Sequence, residues 1–127
     1  MTTKDNAKSI IIDGIKYIPE SERTQLAQAQ TLKGLKYCIV RSNGSGVWAG
    51  YVKSRDGSEA IILKARRIWY WDGAASLSTL AVHGTSKPEN CKFPCEVEEV
   101  TILNVLEIIP CTEEAQASIT SVVIWQQ

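Results

Sequence analysis

The chain has 127 residues, 44% of them hydrophobic, which suits one domain with one core and leaves no room for a second. Its 14 Lys and Arg balance 14 Asp and Glu, so the bulk attraction behind generic DNA or RNA coating is missing. There is no run of apolar residues long enough to span a membrane and no apolar core of a secretory signal near Met1, so the expectation is a protein that stays in the cytoplasm.

Residues 1–9 are polar and aperiodic and read as a tail. Asp13-Gly14 then stands between two apolar runs, Ile10–Ile12 and Ile15–Ile18, a strong hairpin signal because a type I′ turn needs positive φ at both central residues. Pro19, Glu20, Ser21 and Glu22 suit a helix N-terminus, so a helix is predicted at about 20–33, ended by Gly34. Its apolar stripe (Leu26, Ala27, Ala29, Leu32) is narrow, which favours a helix–helix contact with another subunit over packing on a large sheet.

From Leu35 the pattern turns to strands: Leu35–Arg41, Val47–Lys53 and a long strand Glu59–Trp71, separated by the turns Ser42–Gly46 and Ser54–Ser58. Ala74–His83 reads as a short helix stopped by Gly84, and Glu96–Ile109 as one long edge or closing strand ended by Pro110. Thr112 before Glu113 and Glu114 caps a helix at about 113–121, followed by the apolar tail Val122–Trp125. The predicted class is α+β: a small antiparallel sheet (a meander plus a long closing strand) with short helices. An N-terminal hairpin and helix over 1–34, suited to oligomerisation, precede a core domain over 35–127.

Charge is unevenly spread. Residues 1–67 hold 12 basic and 6 acidic side chains and residues 68–127 hold 2 and 8, so the halves carry +6 and −6. They can neutralise each other within one domain or across an oligomer interface, or leave a local anion site in a chain that is neutral overall.

The densest chemistry lies in Arg66-Arg67-Ile68-Trp69-Tyr70-Trp71-Asp72-Gly73. Strand alternation puts Arg67, Trp69 and Trp71 on one face and Arg66, Ile68 and Tyr70 on the other. Indoles stack on bases and guanidinium forks bind phosphate, so the segment suits a nucleotide. Asp72 can cap the following helix or accept from a ribose hydroxyl or an adenine amine, and the turn running to Ser76 can present helix amides to an anion. The competing reading makes the tryptophans core and pairs the arginines with Glu96, Glu98 or Glu99.

Cys91-Lys92-Phe93-Pro94-Cys95 has a spacing that zinc tolerates, with Cys38, Cys111 or His83 available to complete a tetrahedron, but a second paired half is missing and buried reduced thiols are the better reading. His83, the one histidine, sits at a helix end and allows no catalytic triad to be nominated. The Ser42–Gly46 turn lacks the Gly-Lys-Ser/Thr ending of a P-loop.

The run Arg66–Ser78, with Asn90-Cys91-Lys92-Phe93 and Glu107-Ile108-Ile109-Pro110-Cys111-Thr112 downstream, resembles a family of small bacteriophage proteins. The resemblance covers about residues 36–125 and implies a phage or prophage origin and a non-virion accessory role in the host cytoplasm. In size and β-then-helix order the chain is similar to phage anti-defence sponges, which sequester nucleotide immune signals such as cyclic oligonucleotides or cyclic ADP-ribose isomers. The sponges for cyclic ADP-ribose isomers use arginines on a C-terminal helix, whereas no arginine follows Arg67 here.

The expectation from residues and resemblance together is a non-catalytic homo-oligomer that binds and sequesters a small anionic nucleotide between subunits, without cofactor or metal. Arg66 or Arg67 would hold phosphate and Trp69 or Trp71 would stack the base, with Asp72, Ser76, Asn90 and Lys92 completing the ligand set. The alternatives are a protein-interaction module that inhibits a host enzyme and an enzyme acting on nucleotides.

Overall fold

The computed structural model describes residues 10–12, 15–17 and 27–126. Strands β1 (Ile10–Ile12) and β2 (Ile15–Tyr17) pair antiparallel with Ile12 opposite Ile15, as the Asp-Gly signal predicts. The Asp13-Gly14 turn itself, residues 1–9 and the first part of the expected helix (20–26) lie outside the described residues.

The main sheet has five antiparallel strands: β3 (Tyr37–Ser42), β4 (Gly46–Asp56), β5 (Glu59–Arg67), β6 (Glu96–Ile102) and β7 (Val105–Pro110), in the spatial order β6-β5-β4-β3-β7. The predicted meander is β3-β4-β5. Asp56 pairs with Glu59 across the two-residue turn Gly57-Ser58, so β4 runs further than the sequence suggested. With helices α1 (Leu77–His83) and α2 (Glu113–Ser121), the fold is α+β.

The expected closing strand is two strands. Leu103 and Asn104, with Asn104 at a φ of 57°, break it, and the halves take opposite edges of the sheet. Two edges joined by two residues must approach each other, so the sheet curls toward an incomplete barrel. Bulges assist the bend. The β4–β5 register shifts between Ala49 and Tyr51 and again between Val52 and Ser54, and β3–β7 shifts at Arg41/Ser42. The turn ends are tied together by Asn43 N–H donating to the Asn104 carbonyl (2.9 Å) and Val105 N–H to that of Ser58 (2.8 Å).

Curling gives two apolar clusters, one per face. The concave side is filled by Val40, Trp48, Ala60, Ile62, Ala65 and Ile102. The other face carries Tyr37, Ile39, Ala49 and Ile68 against Leu80 and Ala81 of α1, Ala115 and Ile119 of α2, and Phe93. The second helix starts as predicted, with Thr112 accepting from Ala115 N–H (3.1 Å), whereas the first starts at Leu77 and not at Ala74, because Ser76 accepts from Thr79 N–H (3.2 Å) and caps it there. The uneven charge is used inside the fold: acidic β6 and β7 flank the basic meander through Lys64–Glu98, Lys53–Glu99 and Arg41–Glu107 pairs.

The helix expected to end at residue 33 is absent over 27–33. That stretch is an extended strap, turned at Leu32–Leu35 through Lys33 and Gly34, both at positive φ. The buried Gln116 side chain reads the strap's backbone as a neighbouring strand would, accepting from Gln30 N–H (2.7 Å) and donating to the Gln30 carbonyl (3.0 Å). Ala29 N–H also donates to the Cys111 carbonyl (3.2 Å). Gln- and Thr-rich sequence of weak helical amphipathicity is recruited here by partners distant in the chain, so over 27–33 it packs on its own domain.

Candidate functional site

The two neighbouring arginines of β5 point to opposite faces because side chains alternate along a strand. Arg66 shares a cross-strand row with Ala49 and Ile39 on the helix-covered face, and Arg67 shares one with Trp48 and Val40 on the concave face.

Arg66 is 6% exposed. Its Nε donates to the Pro94 carbonyl (3.0 Å), Nη1 to Ile119 (2.9 Å), and Nη2 to Phe93 (3.0 Å) and Val122 (2.6 Å). Four of a guanidinium's five N–H groups are thus spent on main-chain oxygens that fasten the segment after α1 and the C-terminal end of α2 to the sheet. Burial lowers its pKa from the ordinary arginine value, opposed by Tyr37 and Glu96. The expectation that Arg66 holds a phosphate is corrected: its fork is occupied and buried.

Arg67 is different. Its guanidinium lies over the Trp48 ring, 4.0 Å from Cζ to centroid, and Nη1 donates to the Ser45 carbonyl (2.6 Å), which also accepts from Trp48 Nε1 (3.2 Å). These are the only side-chain hydrogen bonds of Arg67 and Trp48 among the described residues. The ring and the Ser45 carbonyl hold the fork in place, and among the described residues its other N–H groups have no partner.

Arg67 opens onto a cleft of about 250 Å³ whose walls are Gly44–Val47 on one side and Arg67–Trp69 with Trp71 on the other. Trp69 is 64% exposed at its rim. Trp71 is half-buried, packs against the helix-side core and donates from Nε1 to the Ala74 carbonyl (3.3 Å). Arg67, Trp69 and Trp71, the set read as sharing a face, thus line one cleft, although the strand ends at Arg67 and not at Trp71. Beyond Arg67 the chain is held by the Ile68 N–H to Val47 carbonyl bond (2.8 Å) and then by a bridge between Tyr70 and Lys92. The cleft residues include no carboxylate.

The other nominated residues stand apart from this cleft. Asp72 organises the turn that follows: Oδ2 accepts from Asn90 Nδ2 (2.9 Å), Oδ1 from Gly73 N–H (2.8 Å), and its carbonyl from the Thr85 hydroxyl (2.5 Å). The Asn90 bond, then that of Gly73, holds its pKa below the usual carboxylate range. Asp72 does not cap α1, as the sequence allowed; Ser76 does, and its hydroxyl is committed there. Gly73 is at a φ of 81°, and a Cβ there would meet Lys87 N at 2.5 Å and Ser86 N at 2.8 Å, so only glycine fits. Lys92 Nζ lies 5.8 Å from the Tyr70 ring and 5.5 Å from that of Trp125, on an aromatic surface formed by the chain end.

Cys38, Cys91 and Cys111 are buried and Cys95 is exposed. Burial raises the Cys38 thiol to about 11 and Cys111 to about 12, so both are protonated at neutral pH. Among the described residues no three His, Cys, Asp or Glu side chains gather as metal ligands. His83 faces Glu114 across the two helices (3.6 Å).

Sequence reasoning missed Trp48 as the platform for Arg67 and the Gly44–Gly46 turn as the opposite wall. The signal was present. Counting back residue for residue from Asp56 and Glu59 sets Trp48 opposite Arg67, because the two β4–β5 register shifts cancel.

Fold and site together define a small α+β domain with a cationic, aromatic-rimmed surface cleft and no assembled set of nucleophile, base and metal ligands among the described residues. The chain belongs to the family described as a domain of unknown function (DUF6948), whose model matches residues 35–119. No curated protein matches the chain, and no solved structure does. Among the described residues no helix is long and apolar enough to cross a membrane.

Proposed function

We propose that the protein binds a small nucleotide-derived anion in the Arg67–Trp69–Trp71 cleft and sequesters it without turning it over. The observation that carries the reading is the guanidinium of Arg67, backed by the Trp48 ring and with one hydrogen bond among the described residues, opening onto a cleft without carboxylates and rimmed by an exposed indole. An anion gains charge-assisted hydrogen bonds there and a base gains a ring to stack on. Three of the wall carbonyls are engaged: that of Ser45 by Arg67 and Trp48, that of Gly46 by the Ser42 hydroxyl, and that of Val47 by Ile68.

The setting comes from the resemblance to small phage proteins. We take the protein to be a phage- or prophage-encoded sponge acting in the host cytoplasm against a cyclic oligonucleotide or cyclic ADP-ribose signal. The test is tryptophan fluorescence and thermal shift with a panel of cyclic nucleotides and ADP-ribose isomers, followed by heat release of the ligand. Quenching with intact ligand recovered supports the reading. No response to any member removes it, and a converted ligand replaces it with an enzyme.

A second reading, a module that inhibits a host enzyme by contact, is favoured by the exposed surface of Tyr70, Val123 (84% exposed) and Ile124, next to Lys92 and Trp125. It predicts a stoichiometric partner from host lysate that is lost with Tyr70→Ser but kept with Arg67→Ala.

A further inference from the structure

The cleft has the dimensions and chemistry of half a site. Its volume, about 250 Å³, falls below the roughly 300–1,000 Å³ of clefts that enclose a drug-sized ligand. It contains one cation, Arg67, backed by one ring, Trp48. The facing wall is the Gly44–Gly46 turn, which brings no ring and no charge. Trp69 stands at the rim with 64% of its surface open. Among the described residues no aromatic ring stacks on it from the other side, the one aromatic pair being Tyr37 with Tyr51. A base laid on Trp69 would therefore have protein on one face only.

We infer that the site is completed by a second copy of this chain, so that a ligand with two bases and two phosphates is gripped between two clefts, each supplying one Arg67 and one Trp69. The inference rests on the nucleotide reading above. A two-fold ligand matches a two-fold pair of clefts, since each half meets the same residues. Formal neutrality of the chain permits the approach, there being no net self-repulsion to overcome. A single-base nucleotide has one base for one Trp69 and one phosphate for one Arg67, so it engages one cleft, is only partly enclosed there and does not call for a second copy.

Native mass spectrometry and sedimentation of the full chain, with cyclic di-AMP and cyclic di-GMP as two-base probes and 5′-AMP and 5′-GMP as single-base probes, test this. The expected result is one cyclic dinucleotide per two chains, with dimer mass stabilised by the ligand. The mononucleotides should bind one per chain, at least tenfold more weakly and without driving dimers. Trp69→Ala, at an exposed position that leaves the fold intact by circular dichroism, should weaken the dinucleotide at least tenfold and remove the ligand-driven dimer.

One cyclic dinucleotide per chain, with the assembly state unchanged, overturns the half-site while leaving the nucleotide reading in place. So does a ligand from the panel with a single base that binds one per chain when neither cyclic dinucleotide binds. Failure of every nucleotide to bind overturns both.

Discussion

Arg66 and Arg67 are adjacent, chemically identical and put to opposite uses. Arg66 faces a layer where the segment after α1 and the C-terminal end of α2 present carbonyls, and four of its donors are consumed there. Arg67 faces the concave side, where the cross-strand residue is an indole, so it is held by stacking and one hydrogen bond to Ser45. Both are rigid, but only the second is rigid with donors to spare. A residue pre-oriented by a face it shares with a ring keeps its edge for a ligand, whereas one pre-oriented by its edge has nothing left to give.

The sharpest way to break this contrast is Arg66→Ala. It strips the Pro94 and Val122 carbonyls of their only donor among the described residues. At about 1–3 kcal/mol for the buried Val122 acceptor left unpaired and less for the half-buried Pro94 one, urea unfolding should show a loss of about 2–4 kcal/mol, a large share of a domain's stability. Arg66→Lys recovers only part, because one ammonium cannot reach four carbonyls in different directions. Gly73→Ala comes next. The clash with the 85–87 backbone and the positive φ should cost about 1–3 kcal/mol in the same assay, and ligand quenching should weaken as the turn that positions Trp71 shifts.

Arg67→Ala should cost only about 1 kcal/mol of stability, the scale of one partly desolvated cation–π contact. Binding measured by tryptophan quenching should nevertheless fall at least tenfold, the reverse of the pattern at Arg66. Arg67→Lys, keeping charge but not the stacked plane, should stay well below wild type in binding. If Arg67→Ala unfolds the domain as Arg66→Ala does, the two arginines are alike and the cleft has lost its central residue.

Much of this division was legible in the sequence, because it follows from strand period. Alternation separates Arg66 from Arg67, but the register that sets Trp48 opposite Arg67 needs the two-residue turn between Asp56 and Glu59, where the sequence was read as turning over Ser54–Ser58. What sequence could not show was which face would be covered. That depends on Pro94, Ile119 and Val122 arriving from 28 to 56 residues away. Long-range contacts also explain the strap at 27–33, where Gln116, 86 residues on, overrides local helix signals. The break at Leu103-Asn104 was hidden for a local reason. It contains neither Gly nor Pro, and Asn104 enters the left-handed region that asparagine tolerates. The predicted strand to Trp71 overran because the apolar run continues after Arg67 while the antiparallel partner β4 begins at Gly46 and offers no residues beyond it to pair with.

The smallest expected effect concerns Asp72, which sequence reasoning offered to a ligand and the fold gives to a turn. Its pKa is lowered by the Asn90 amide and the Gly73 N–H, both of which bond the charged form. It therefore adds stability above the unfolded carboxylate pKa of about 3.9, and that contribution is lost as pH falls through the lower folded value. Asp72→Asn removes this linkage, since a carboxamide has one acceptor oxygen where the carboxylate uses two. Wild type should exceed the variant in stability by a small margin at pH 7, and the margin should close below about pH 4 as the carboxylate is neutralised. A margin constant across that range would mean that the turn depends on shape alone. A margin at pH 7 that grows with added nucleotide would return Asp72 to the ligand, and the division of labour drawn between Arg67 and its neighbours would have to include it.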